Sequence, residues 1–419
     1  MTSGFSSIIS PVICRVSRIT MNMPPKITGE WFHDAGEEPE SMVRVLVIGA
    51  GLAGLACALE ATTAGHHVVL LERSSRIGGR GTTQNLDGFA MGYGPHLFVE
   101  KGPLHSLVRK LSRVRISTSP VKLHRLEVVG HGVVRPIDDT TTAVLNKRAL
   151  KQRNPNNPLV KACDFFSTWG GGQNEQRALA LRKERLLVCN EGWAGLVGRL
   201  AAALDEVGVF VECGPEVVRI EKGSVHLRDG RMIETDVVVL ACGVVSARKL
   251  LSSLDDELSG ALFSKVKRVS ASIIEAGLDA KPLSGRHAVV DAEGGFSILD
   301  YHAIHPLLGP GGSHLSALSV GGLAGDAGET RYESASHRLE ALKAFLGQRA
   351  SGWNDHIIHY SQQEKITLHE TVGGRIPVDA AAHKGVLFAG PWTESAFILA
   401  DAAIDSGRQA GRSVSSALR

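Results

Sequence analysis

The chain lacks an excess of charge of either sign: 46 basic residues face 43 acidic ones, a formal net charge of +3 over 419 residues. A nucleic-acid binder needs a concentrated basic face, so that class of partner is excluded. Cysteine is sparse and unpatterned. The six cysteines (Cys14, Cys57, Cys163, Cys189, Cys213, Cys242) form no CxxC and no zinc-like spacing. They read as reduced, mostly buried small apolar residues of a cytoplasmic protein, and no metal site is expected. No apolar run approaches the roughly 20 residues of a membrane-spanning helix. Internal repeats and low-complexity tracts are also missing. Acids are absent before Glu30, while Arg15, Arg18 and Lys26 stand among Ser and Thr. Residues 1–41 are either a targeting segment or a disordered extension ahead of a compact start at Met42. The second reading is taken, and the segment is left out of the fold argument.

What is abundant is glycine, at 47 residues, together with 43% hydrophobic residues. That composition suits a globular chain, and the length suits two domains. Val43–Ile48 is a continuous apolar run, as expected of a strand buried on both faces. An alanine-rich helical pattern comes next over Leu52–Thr63, then a second strand over Val68–Leu71: one βαβ unit. Helices are expected near Leu104–Leu111, Trp193–Val207, Glu333–Gly347 and Leu399–Leu418. Residues 121–135 alternate like hairpin strands, and Arg148–Pro158 reads as a polar loop. Strands are expected at Val209–Cys213, Val237–Ala241 and Val386–Ala389, with a small meander over Val217–Thr235. Longer alternating strands appear at Ser270–Gly277 and His314–Val320. The predicted fold is α/β: a discontinuous Rossmann-type nucleotide-binding domain (42–100, 190–250 and 380–419) with an inserted α+β substrate domain (101–189 and 251–379).

Between the first strand and helix lies Gly49-Ala50-Gly51-Leu52-Ala53-Gly54, a GxGxxG turn. There the free N–H groups and dipole of a helix N-terminus face a diphosphate. Gly49 permits the turn, Gly51 keeps a side chain off the phosphate path, and Gly54 lets helix and strand pack closely. Glu72 ends the second strand 23 positions after Gly49, near the spacing of about 20 expected of an acid that binds a ribose hydroxyl.

FAD and NAD share this fingerprint, and the residues after Glu72 separate them. The stretch Glu72-Arg73-Ser74-Ser75-Arg76-Ile77-Gly78-Gly79-Arg80 resembles the RxGGR element of the flavin amine oxidase and phytoene desaturase superfamily. Phe89-Ala90-Met91-Gly92-Tyr93-Gly94-Pro95-His96 is similar to that superfamily's FDxGPH segment, with Gly92 in place of the acid. Glu216–Ile220 resembles its adenine-contacting strand, with Val217 at the matching position. Val386–Thr393 with Leu399–Ala403 and Ser406–Arg408 is similar to its C-terminal flavin motif, with Pro391 in place of an acid. Ile304–His314 looks like the DPxxAPxGxH stretch of the phytoene desaturase branch, with His305 for the acid and Gly309 for the alanine. The resemblance implies FAD as cofactor, held by Gly49, Ala50, Gly51, Leu52, Ala53, Gly54, Glu72, Arg73, Gly79, Arg80, Gly94, Pro95, His96, Val217, Gly390, Trp392 and Ala400.

The implied function is that of an FAD-dependent desaturase or dehydrogenase. It would transfer hydride from an isoprenoid-like or other apolar small-molecule substrate to flavin N5, chemistry that asks little of side chains. Arg375 is the one candidate at the substrate face of the ring. Two alternatives stand beside this reading: a flavin amine oxidase, and a flavin-binding protein without turnover. None of Tyr93, Tyr301, Tyr332 and Tyr360 stands in a segment matching an aromatic amine cage. The electron acceptor (oxygen, quinone or NAD) is not readable, and peripheral contact with a membrane is left open.

Overall fold

The structure is a computed structural model that describes residues 42–110, 116–133, 158–169, 185–323, 332, 334–370 and 375–418. The extension 1–41 and nearly all of the loop read over 148–158 lie outside the described residues.

The chain opens with β1 (Arg44–Ile48), α1 (Leu52–Thr63) and β2 (His67–Glu72). After two short sheets come α2 (Gly192–Glu206), β3 (Phe210–Cys213), β4 (Val237–Leu240) and α3 (Val244–Leu254). The substrate region contributes β5 (Arg268–Leu278), β6 (Ser313–Leu323) and β7 (Ile357–Glu370); β8 (Val386–Phe388) and α4 (Leu399–Ser413) then close the chain.

A parallel sheet of five strands runs in the order β3-β2-β1-β4-β8. Val47 sits opposite Leu70 on one side and Val239 on the other. The central strands read as unbroken apolar runs because both faces are covered. Val45 and Val47 pack with α1, α2 and α4, whereas Leu46, Val238 and Leu240 pack with the meander Val217–Glu234 and α3. The chain reaches β3, β4 and β8 only after long excursions, so the nucleotide-binding domain is discontinuous.

The second sheet has seven strands: β7, β5, β6, Phe296–Asp300, Ala288–Asp291, Leu126–Val128 and Gly132–Val133. It is antiparallel except where Ala288–Val290 pairs with Leu126–Val128. Its two faces feed separate cores. One packs against the helix Pro158–Thr168, the other against the helix Ala335–Arg349.

The domain limit read at residue 250 falls within α3. That helix and the next, Asp256–Phe263, bury Val244, Leu251 and Phe263 in the core of the parallel sheet. Sequence pattern misses this because the boundary follows two amphipathic helices rather than a polar linker.

Candidate functional site: a cavity along the parallel sheet

The turn Gly49–Gly54 shows why those residues are glycine. Gly49 has φ +108°, and a Cβ there would meet the Ala241 carbonyl at 2.9 Å. At Gly54 a Cβ would stand 1.9 Å from the Gly49 carbonyl oxygen, so the helix could not pack onto its own turn. Gly51 is different: an added Cβ meets nothing within 4 Å and points into open space. α1 has no side-chain N-cap and no acid in its first turn. Its N-terminus therefore keeps donors and partial positive charge for an anion.

Glu72 braces this turn. Its carboxylate accepts from Ala50 N–H at 2.9 Å and from Ser74 N–H at 3.0 Å. A carboxylate offers about four acceptor positions, so capacity for ribose hydroxyls is left over. Ala50 and Gly54 shape the turn from behind and do not line the space in front of it.

That space is a cavity of about 610 Å³, within the range of ligand sites. It starts among Glu72, Arg73, Val217 and Lys249 and passes Gly49, Gly51 and Gly79. It ends among Tyr93, Gly94, Pro95, His96, Trp193, Leu368, Gly390, Leu399 and Ala400. Leu52, Ala53 and Arg80 also line it. Most of the residues inferred from the sequence are thus brought into one continuous groove.

The far end is closed by the N-terminus of α4, whose Leu399 has φ +53°. A left-handed leucine stores about 1–3 kcal/mol of strain that the surrounding structure must offset. Leu399 N–H donates to His369 Nδ1 at 3.3 Å, which puts the ring proton on Nε2. Burial, and secondarily the charge of Arg80, lowers the pKa of His369 to about 3. Asp401, in the first turn of α4, turns away from the cavity and accepts from Val99 and Leu104 N–H at 2.8 and 3.0 Å.

His96 is buried, and its imidazole pKa is depressed to about 3, first by burial and then by the charge at His314. It lies against Trp193 with ring centroids 4.9 Å apart. A Cβ at Gly92 would stand 2.3 Å from its Cε1. Glycine therefore replaces the acid of the related segment because the His96 ring fills that space. At His305, the other position where the related stretch carries an acid, Nδ1 accepts from Leu307 N–H at 3.3 Å and caps the turn Pro306–Leu308.

Two sequence-based expectations, for Trp392 and Arg375, are corrected. Arg80 lines the cavity and also reaches Glu370 at 3.1 Å and the Thr367 carbonyl at 3.3 Å. It ties the glycine turn to β7. Trp392 is fully buried, donates to the Cys242 carbonyl at 3.2 Å and packs on Phe263 and Phe388. Its large ring fills the core behind the cavity. Arg375 is half-buried, which lowers its guanidinium pKa against the opposing charges of Glu394 and Asp405, and it does not line the cavity. Gly373 and Gly374 beside it lie outside the described residues.

Sequence reasoning missed Glu370, which lines the cavity and also accepts from Val244 N–H at the start of α3 at 3.3 Å. Nothing in a strand-end glutamate signals this, because its partners are 126 and 290 positions away. Trp193 was legible only as an apolar helix residue.

The comparisons with known proteins agree with this geometry. Residues 47–111 match the NAD(P)-binding Rossmann-like domain, and residues 170–415, more than half of the chain, match the flavin containing amine oxidoreductases. An L-amino-acid oxidase of Pseudechis australis is 43% identical over 72 residues, 17% of this chain and 13% of that protein. A 4,4'-diapolycopene oxygenase of Methylomonas sp is 44% identical over 54 residues, 13% of this chain and 11% of its own length. The chain thus spans only a small part of the curated relatives it matches. Among solved structures, an oxidoreductase of Methanosarcina mazei superposes with a TM-score of 0.66 at 19% identity, covering 87% of this chain and 99% of that one. That likeness shows the fold alone.

Proposed function

The chain belongs to the flavin containing amine oxidoreductase family, and from that premise we propose that it binds FAD along the cavity and oxidises an apolar, isoprenoid-like substrate at the flavin end. The observation that carries this reading is the cavity itself. It runs from Glu72 to the N-terminus of α4, and at Gly51, at the diphosphate position, an added Cβ would meet nothing within 4 Å. The residues along it fit the cofactor. Glu72 would hold the ribose, Val217 would flank the adenine, and the N-terminus of α1 would take the diphosphate. The N-terminus of α4 would face the ring end, where partial positive charge favours reduced flavin.

FAD supplies the hydride acceptor; the protein's task is orientation and exclusion of water. The walls at the ring end support the apolar substrate. Tyr93, Pro95, Trp193, Leu368, Pro391 and Leu399 carry no charge, and His96 is kept neutral by burial. Arg80, which also lines the cavity, is already paired with Glu370. An amino-acid substrate would bring a carboxylate to a wall with no unpaired cation among these residues, and burying it so would be costly. The likeness to a 4,4'-diapolycopene oxygenase points the same way. The likeness to L-amino-acid oxidases favours the second reading, amine oxidation.

The test is an absorption spectrum of purified protein and then anaerobic titration. Bands at about 370 and 450 nm mark oxidised flavin. Bleaching by a polyprene and not by a panel of amines and amino acids supports the proposal. Bleaching by amines alone overturns it in favour of an amine oxidase. A flavin that neither substrates nor dithionite can bleach marks a protein without turnover.

A further inference from the structure

We propose that Glu275, Ser316, His314 and Tyr301 form a buried positioning chain that fixes His96 at the ring end of the cavity; the proposal rests on the FAD reading above. β5 and β6 pair so that Glu275 lies opposite Ser316 and Gly277 opposite His314. Strand periodicity then puts Glu275, Ser316 and His314 on one face. All three are at most 3% exposed.

Their contacts form one connected path that converges on Glu275. The backbone N–H of His96 donates to the Tyr301 hydroxyl at 2.8 Å. The Tyr301 ring packs on His314 with centroids 5.2 Å apart, and the Ser316 hydroxyl donates to one Glu275 oxygen. The other Glu275 oxygen meets His314 Nε2 at 2.9 Å, and His314 Nδ1 meets the Leu308 carbonyl at 2.8 Å. A carbonyl can only accept, so Nδ1 carries a proton and a second proton lies between Nε2 and Glu275. Every polar atom of the Glu275 and His314 side chains thus has a partner, which is what makes such a network rigid.

Two features direct the chain at His96. Between His96 and His314 is a void of about 10 Å³, too small for a substrate and at the lower limit for a single water. The mechanical link therefore runs through Tyr301. The His96 ring is clamped on its other sides by Trp193 and the Gly92 backbone, and its buried Nε2 has no hydrogen-bond partner among the described residues. A carboxylate–imidazole pair stabilises a core no better than apolar residues of the same volume. Its place directly behind the one imidazole of the cavity wall is accounted for by positioning.

The test uses holoenzyme and sulfite, a small anion that adds reversibly to oxidised flavin and so reports the surroundings of the ring. His96→Asn and Tyr301→Phe are each expected to change the sulfite Kd, read on the flavin-loaded fraction, at least fivefold in the same direction. The double variant should change it no further than the larger single effect. Glu275→Leu should reproduce the Tyr301→Phe shift, and Glu275→Gln, which keeps an acceptor for Ser316, should restore most of the wild-type value. A wild-type Kd in Tyr301→Phe and Glu275→Leu, or shifts that add to that of His96→Asn, would overturn the proposal. Wild-type protein that retains no flavin fails the FAD reading instead. The chain is then read from the ¹⁵N shifts of the His96 imidazole, which must move in Tyr301→Phe for the proposal to stand.

Discussion

At Gly92 a single missing side chain decides what the neighbouring histidine can do. The related segment carries an acid at that position, and here the His96 ring lies where its Cβ would be, 2.3 Å away. Gly92→Ala should cost about 1–3 kcal/mol through overpacking, read as a lower thermal midpoint. In a His96→Ala background the same substitution should cost far less, because the obstructing ring is gone. Equal costs in both backgrounds would mean that the two positions do not compete for space. Trp392 gives the converse case. Its indole lies in the core behind the cavity, so Trp392→Leu should destabilise the protein by about 2–4 kcal/mol while flavin content per folded molecule stays at the wild-type value. Loss of flavin without loss of stability would put the indole back at the cofactor.

The scale of single elements shows what a sequence can and cannot carry. β1, α1 and β2 were legible almost to the residue. Their signals are local: an apolar run, a 3.6-residue period and glycines whose turn admits no side chain. Glu72 was legible because a fixed spacing separates it from Gly49. The rest of the site depends on pairs far apart in sequence, which leave no periodic trace: Arg80 with Glu370, Tyr301 with His96, Asp401 with Val99 and Leu104. Arg80 was singled out for its motif, but its partner comes from β7 and could be found only in three dimensions. Asp401 makes the point energetically. It ties α4 to the start of the helix Pro103–Lys110, and burial pushes its carboxyl up to about 7 despite two backbone donors. A folded-state pKa raised above the unfolded value of about 3.9 means that the native state holds the proton more tightly. Its contribution is then greatest below about pH 4 and declines as the pH rises to about 7. Asp401→Asn should therefore flatten the fall in thermal midpoint between those limits, an effect on the order of a few kcal/mol in wild type. A variant with the wild-type slope would assign that dependence to other groups.

For the molecule as a whole, the cavity lies where the parallel sheet, the glycine turns and the end of β7 meet, so its occupant would contact all three. Arg80–Glu370 and Glu370–Val244 tie β7 to the other two. A ligand that binds only the folded state raises stability by RT ln(1 + [L]/Kd), about 2.7 kcal/mol at a hundredfold excess over Kd. Protein stripped of flavin should thus melt several degrees lower and recover on addition of FAD. NAD shares the adenosine and diphosphate but lacks the isoalloxazine that, in the proposed binding mode, would meet His96, Trp193 and the N-terminus of α4. It should recover little of the loss at the same concentration. If NAD restored the midpoint as fully as FAD, the ring end of the cavity would contribute nothing to recognition. The stabilisation would then come from the βαβ turn alone, and the apolar end would lose its claim to be where a substrate meets the flavin.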